Sequence, residues 1–354
     1  MTQFNFSTAN LSRYPAKHAK DLQAWDAADE YLAKFISDQA NILILNDAFG
    51  GINCAVHASA SNPLHVNDSW CSLKAIEINS NHKPQAYEGQ KIDLGLIKLP
   101  KSISLLEAQL KHVCNQLDKP LEVYFSGMQK HVSSGHLDLL KQLCSDLQYL
   151  PTERKARMYK GMLEPAKHQI QTSCLPVPEL NLTLHNAAGV FAEQKIDIGS
   201  RFFIENFKLL PCAKTVADVG CGNGLLSLAY HQLHPNAALT LTDESLAAVE
   251  SARSSFAFNF PNATYQLAHN DGLFGCEQIF DLILINPPFH QQNTVTTDIA
   301  MSMFSQAKAC MGPASELWIV ANRHLNYQAD LKRWFRNVLV ATQNDKFVII
   351  RAKR

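Results

Sequence analysis

Two short stretches hold residue types that could do chemistry. Residues 215–230, TVADVGCGNGLLSLAY, run from apolar positions through Gly220, Gly222 and Gly224 into an apolar helix start, with Asp218 just before the glycines. Glycine permits a tight turn there and lets backbone approach a ligand where a Cβ would collide. The second stretch, Asn286-Pro287-Pro288-Phe289, follows directly on the apolar run 280–285. An asparagine can accept a hydrogen bond through its carbonyl while its NH₂ is anchored elsewhere. Two prolines fix φ and expose a backbone carbonyl that no neighbouring strand needs. Phe289 adds a stacking surface, and stacking of a base on an aromatic ring is worth about 1–3 kcal/mol. Neither a GxSxG elbow nor an HExxH zinc helix occurs, which argues against acyl transfer and hydrolysis.

These residues need elements to hold them. Residues 215–219 read as a buried strand, 237–242 as a second ending at Asp243, 265–268 as a third before Asn270 and Asp271, and 280–285 as a fourth running into Asn286. Amphipathic helices alternate with them, the pattern of a parallel, doubly wound sheet, whose ligands sit at the carboxyl ends of the strands. Asp243 falls about twenty residues beyond the glycines, where a ribose-binding carboxylate belongs; the simpler role is a helix N-cap before Glu244 and Ser245. Asp271 could equally be a turn acid before Gly272. Cys221 answers to the small-residue requirement of the turn rather than to thiol chemistry.

The plan recurs upstream. Residues 41–56, NILILNDAFGGINCAV, have the hydrophobic shape of the first strand and turn. Setting Ile44 on Asp218 brings Asn46 onto Gly220, Ala48 onto Gly222 and Gly50 onto Gly224, and puts Asp68 near the counterpart of Asp243. Residues 93–101, DLGLIKLPK, parallel 281–289, DLILINPPF, with Lys98 in place of Asn286, Leu99 of Pro287 and Lys101 of Phe289. The expected fold class is therefore α/β: two tandem doubly wound, Rossmann-like domains, residues 1–175 and 181–354, the first degenerate at its ligand-binding turn. Pro176 and Pro178 disfavour helix and make residues 174–180 the expected connector.

Composition narrows the partners. Apolar residues at 46% and charged residues at 18% describe a globular chain, and 32 basic against 32 acidic residues rule out coating nucleic acid through bulk charge. Any polyanion must be met by local patches, and residues 154–167 (Arg154, Lys155, Arg157, Lys160, Lys167) and 323–354 are the basic ones. The 9 cysteines include no CxxC pair, so neither a zinc site nor a disulfide framework is expected. No basic region followed by an apolar run opens the chain, and nothing approaches the ~18 apolar residues of a membrane span. A cytoplasmic protein with no membrane association is the expectation.

The set D-x-G-x-G-x-G, an acid after the second strand and N-P-P-F after the fourth resembles class I S-adenosylmethionine-dependent N-methyltransferases. Residues 189–191 (GVF) and 197–203 (DIGSRFF) are similar to the guanine-N2 rRNA methyltransferases. AWDAADEYL (24–32), LILNDAFG (43–50), IKLPKS (97–102), NPPFHQQ (286–292) and IVANRHLNY (319–327) resemble the large-subunit, RlmG type, so the likeness spans nearly the whole chain. The resemblance implies S-adenosyl-L-methionine as cofactor, 23S rRNA as partner and 2-methylguanosine as product. It implies backbone at Gly220–Gly224 against the methionine part with Asp218 near its ammonium, Asp243 on the ribose, Asp271 or Asn270 on the adenine amine, and Gly189, Phe191 and Asp197 lining the pocket. Asn286, Pro287, Pro288 and Phe289 would be catalytic, with His290 able to touch substrate. Arg154, Lys155, Arg157, Lys98, Lys101 and Arg323 are candidate RNA contacts, and a monomer is the economical assembly.

Alternative targets are a small-subunit guanine, adenine N6 or a protein glutamine. Enzymes for the last two more often have Tyr where this chain has Phe289, and they usually lack the silent first copy. A non-catalytic RNA-binding assembly factor is a further alternative, disfavoured because the motifs of the second copy are intact while those of the first have decayed.

Overall fold

Strands buried on both faces should be continuously apolar rather than alternating, and the runs ILIL (42–45) and LILI (282–285) form such strands. The computed structural model describes residues 4–16, 22–288 and 294–354, with 294–297 as backbone only. It divides into two compact units, Met1–Gln171 and Thr172–Arg354.

In the first unit the strands are β1 (Asn41–Leu45), β2 (Asn62–Val66), β3 (Gln85–Ala86), β4 (Leu94–Lys98), β5 (Leu121–Met128), β6 (Cys144–Glu153) and β7 (Ala156–Leu163), in the order β3-β2-β1-β4-β5-β7-β6. Only the β5–β7 and β7–β6 pairings are antiparallel. Helices α1 (Ala27–Ala33), α2 (Gly51–Ala58), α3 (Trp70–Ser80), α4 (Ile103–Gln116) and α5 (Ser134–Leu143) cover the sheet. Leu43, Leu45 and Ile97 pack into the core on one face, and Ile42, Ile44 and Leu96 into that on the other.

The second unit opens with an antiparallel hairpin, β8 (Thr172–Val177) and β9 (Leu182–Ala187), followed by α6 (Ile198–Glu205). The expected connector is therefore corrected: residues 172–177 are a strand of the second unit. Pro176 is tolerated opposite Thr183 because both strands of a two-stranded sheet are edges. Then come β10 (Thr215–Val219), α7 (Leu225–Leu233), β11 (Ala238–Asp243), α8 (Leu246–Asn259), β12 (Tyr265–His269), β13 (Phe280–Ile285), α9 (Thr294–Ala309), β14 (Met311–Asn322), α10 (Tyr327–Leu331), β15 (Asn337–Gln343) and β16 (Phe347–Lys353). Their order, β12-β11-β10-β13-β14-β16-β15, repeats that of the first unit strand for strand.

The repetition reaches single hydrogen bonds. Asp93 accepts from the backbone of Asn41 at 3.0 Å, as Asp281 does from Thr215 at 3.0 Å. Val66 pairs Leu45 as Thr242 pairs Val219, so the first-unit counterpart of Asp243 is Asn67 rather than Asp68. Asn67 accepts from the backbone of Ser69 (3.2 Å) just as Asp243 does from Ser245 (2.9 Å), and each serine caps the next helix.

Gly50 and Gly224 occupy the same place, both at φ 82° and both the N-cap of the helix that follows. A Cβ on Gly50 would lie 2.9 Å from Ile76 Cα. The left-handed backbone alone costs an L-residue about 1–2 kcal/mol, and backbone contact adds to it. Gly50→Ala should therefore lower the stability of the first unit by about 2 kcal/mol or more, read as an earlier urea-unfolding midpoint; an unchanged midpoint would contradict this account of the turn.

Candidate active site

Three central strands of the second unit end level. Val219 is in register with Thr242 on one side and Ile285 on the other, so the next residues, Gly220, Asp243 and Asn286, emerge together at the carboxyl edge of the sheet. Asn270 joins them, its backbone N–H donating to the Asp243 carbonyl at 2.9 Å. The fold thus gathers onto one rim the residues expected to hold cofactor and substrate.

The glycine turn is held from below. The N–H groups of Gly220 and Cys221 donate to the Thr242 carbonyl at 2.9 and 3.0 Å, and that of Gly222 donates to Asp243 Oδ2 at 2.9 Å. Nothing lies within 4 Å of where a Cβ on Gly222 would project, so the turn faces open space there. On Gly224 a Cβ would press on Ala252 at 3.2 Å, so this glycine answers to helix packing. Asp218 is buried beneath the turn, with Oδ2 accepting from Ser227 Oγ at 2.7 Å and Oδ1 without a partner among the described residues. Burial pushes its carboxyl up to about 6, against the pull of the Ser227 hydrogen bonds and with a smaller push from Asp243. Cys221 is buried and its thiol is pushed well above its ordinary range by desolvation, which leaves it inert.

Asn286 is clamped from a distant element. Its Nδ2 donates to Asp197 Oδ2 at 3.1 Å and to Ser200 Oγ at 2.8 Å, while its buried Oδ1 has no partner among the described residues. Asp197 is itself the N-cap of α6, accepting from the Ser200 backbone at 2.8 Å. Pro287 is buried and Pro288 half-buried; Phe289 and His290 lie outside the described residues.

The loop from β9 to α6 is tied to the same rim. Asn223, inside the glycine turn, donates to Asn186 Oδ1 at 3.0 Å, and both are buried. Asn186 in turn donates to the Glu193 carbonyl (2.8 Å), and Gly189, at φ 87°, donates to the Glu193 carboxylate at 3.1 Å. Phe191 is exposed on this loop. Ser200, Asn186 and Asn223 were not singled out from the sequence. Asn223, a polar residue between two glycines, was the one visible signal; the others depend on partners far along the chain.

In the first unit the equivalent positions are filled. Asp47 is buried in the turn, its carboxylate accepting from Gly50 and Asn53 N–H groups, each at 2.8 Å. Asn46 exchanges hydrogen bonds with Gln109 at 2.8 and 2.9 Å. Lys98 meets both oxygens of Asp29 at 2.7 Å and Asp26 at 3.2 Å. Burial opposes its charge, but the two carboxylates outweigh burial and raise its pKa. Lys98 is thus no phosphate contact: its charge is already balanced inside the fold.

Of the other basic candidates, Arg154 and Lys155 form the exposed turn between β6 and β7, with Arg154 paired to Glu30. Arg157 is half-buried on β7, Lys101 is exposed just past β4, and Arg323 is exposed, donating to the Asn344 carbonyl at 3.3 Å. No group of three or more His, Cys, Asp or Glu able to hold a metal occurs among the described residues, and no helix there is long and apolar enough to cross a membrane.

A sheet of this order with a glycine turn after its first strand, an acid after its second and Asn-Pro-Pro after its fourth defines a methyltransferase. Residues 181–351 match the methyltransferase small domain family, and residues 1–165 match the RLMG N-terminal domain. Proteins named ribosomal RNA large subunit methyltransferase G from Pseudomonas paraeruginosa and Psychromonas ingrahamii are 37% and 34% identical, each alignment covering 98% of this chain and 98% or 96% of the relative. Among solved structures, the T. thermophilus 16S rRNA N2 methyltransferase RsmC, in complex with AdoMet and guanosine, superposes with a TM-score of 0.79 at 20% identity over 93% of this chain and 92% of that one. The chain belongs to the ribosomal RNA large subunit methyltransferase G family.

Asp218 makes a pH prediction. A carboxyl whose folded pKa lies above its unfolded value near 3.8 keeps its proton in the fold where the unfolded chain has lost it. The cost of burying its charge is carried in full above about pH 6 and is relieved as pH falls toward 4. Asp218→Asn, which can still accept from Ser227, should therefore lose less stability than wild type as pH rises from 4 to 6. Parallel urea-unfolding series would check it; identical slopes would contradict the burial account.

Proposed function

We propose that this chain is a cytoplasmic, monomeric enzyme that transfers a methyl group from S-adenosyl-L-methionine to the exocyclic N2 amine of a guanine in 23S rRNA. The observation that carries the reading is Asn286 Oδ1, a buried acceptor without a partner among the described residues, at the strand ends beside the glycine turn. A buried oxygen left unpaired costs about 1–3 kcal/mol, a cost that a donor arriving with substrate removes. The names of the large-subunit relatives and the AdoMet and guanosine seen in the RsmC complex support the same reading.

The residues present fit the cofactor. Open space at Gly222 admits a ligand against backbone, and the unpaired, buried Oδ1 of Asp218 suits a ligand ammonium. Asp243, whose carboxylate accepts from the Gly222 and Ser245 backbone N–H groups at the strand-end rim, would accept from the ribose hydroxyls. The adenine amine, a donor, would be met by the Asp271 carboxylate; Asn270, whose NH₂ is held by the carbonyls of Gly272 and Phe274, offers only its Oδ1 as an acceptor. When bound, S-adenosyl-L-methionine supplies a methyl carbon made electrophilic by its sulfonium. The amine of guanine is a poor nucleophile, its lone pair being delocalised into the ring. Asn286 Oδ1 and the Pro287 carbonyl would hold its two N–H groups and bring the lone pair toward the methyl carbon, with Phe289 stacked on the base. Catalysis on this reading is positioning and charge stabilisation, and no strong base is needed because the proton can leave after transfer.

The first unit, its turn filled by Asp47, would serve as a platform for RNA, with the exposed Arg154, Lys155 and Lys101 and the half-buried Arg157 among its phosphate contacts. Arg323 would contribute a phosphate contact from the second unit. Incubation with labelled S-adenosyl-L-methionine and deproteinised large-subunit rRNA, then digestion to nucleosides, should place the label in 2-methylguanosine; label in N6-methyladenosine, or cofactor binding without transfer, would refute the assignment. Asn286→Ala should cut transfer about 100- to 1000-fold while leaving cofactor affinity nearly unchanged. Asp243→Ala should do the reverse, weakening the cofactor about 10- to 100-fold in an equilibrium binding measurement.

A further inference from the structure

Asn286 can serve an amine only if its amide points the right way round, and that orientation is imposed by residues of another element. We infer that Asp197 and Ser200 are positioning residues for methyl transfer: by taking both N–H groups of Asn286 Nδ2 they turn Oδ1 toward the substrate amine and raise its electron density. The inference rests on the reading of Asn286 given above.

The geometry forces the orientation. A carboxylate only accepts hydrogen bonds, so the end of the Asn286 amide that meets Asp197 Oδ2 at 3.1 Å is its NH₂. Ser200 Oγ, at 2.8 Å, takes the second N–H. A reversed amide would set a carbonyl against a carboxylate and leave both N–H groups facing the substrate, where an amine needs an acceptor. Donation to the carboxylate also polarises the amide, drawing negative charge onto Oδ1. The substrate nitrogen becomes positive as it is methylated, so the added charge acts on the transition state more than on the bound substrate.

The first unit shows what the same scaffold does without this task. Asp26 caps α1 as Asp197 caps α6, and Asp29, three residues on like Ser200, completes the pair around Lys98, which holds the place of Asn286 at the end of the fourth strand. There the clasp closes on Lys98, an ammonium with donors only. In the second unit the same clasp closes on an amide and leaves its oxygen over. A brace alone would need no such oxygen, and a buried one left unpaired is costly.

The test uses the full-length chain with labelled S-adenosyl-L-methionine and deproteinised large-subunit rRNA. Ser200→Ala spares the α6 cap, which uses the Ser200 backbone rather than its hydroxyl. It should lower kcat about 5- to 20-fold, with cofactor Kd and KM for RNA within about twofold. Ser200→Thr, which keeps the hydroxyl, should recover most of that loss. Asp197→Asn, which can still accept but carries no charge, should lower kcat about tenfold. Added to Asn286→Ala, neither change should lower the residual rate further. In a ¹⁵N-asparagine-labelled protein, the side-chain amide signals absent from Asn286→Ala should shift in both Ser200→Ala and Asp197→Asn. Unchanged kcat, a loss of cofactor affinity equal to the loss of rate, additivity with Asn286→Ala, or unmoved amide signals would each overturn the inference. A wild-type protein that makes no 2-methylguanosine would instead overturn the function, so the two failures are read apart.

Discussion

The rim depends on the parallel register of three strands, β11, β10 and β13. Because Thr242, Val219 and Ile285 lie level, the residues that follow them leave the sheet side by side, and a glycine turn, an acid and an asparagine separated by tens of residues share one edge. A shift of one residue in β13 would turn Asn286 to the opposite face and take its amide away from Asp197. Leu282 and Leu284 fill the core on one face, and Ile283 and Ile285 that on the other.

The same frame, built twice, has been put to different use. Strand order, the helix-capping glycine, the acid bracing the first strand and the serine cap after the second recur in both units. The units differ where a ligand would sit. In the first, Asp47 satisfies the turn's N–H groups from within and Lys98 neutralises the acids of the α1 cap. In the second, open space lies at Gly222, and Asp218 and Asn286 each keep a buried oxygen without a partner among the described residues. At the end of the fourth strand the first copy places a fully paired lysine where the second keeps an asparagine oxygen unpaired among the described residues, which separates a scaffold from a binding rim.

How much of this the chain discloses by itself depends on the range of the physics. The strands and turns were legible because their signals are local: continuous apolar runs for buried parallel strands, glycine where φ must be positive, and serine or aspartate where a helix begins. The likeness of the two halves was legible as well, since a repeated pattern of such signals needs no knowledge of contacts. Residues 174–177, expected as connector, form a strand because proline speaks against helix but not against an edge strand, and whether a strand is an edge is a property of the sheet. The sequence places Asp68 only near the counterpart of Asp243, because a one-residue register follows from backbone pairing, which sets Asn67 there.

The sequence alone determined the α/β class, the doubling, the glycine turn and the Asn-Pro-Pro that follows the fourth strand. Only the tertiary structure decided which atoms meet. Asp197 and Asn286 are 89 residues apart, Asn186 and Asn223 37 apart, and Lys98 and Asp29 69 apart. Local propensity holds no information about such pairs, because each forms only once packing on both faces of a sheet has fixed the distance between elements. That is also why Lys98, a plausible phosphate contact as a letter in the sequence, is an internal counter-ion in the fold.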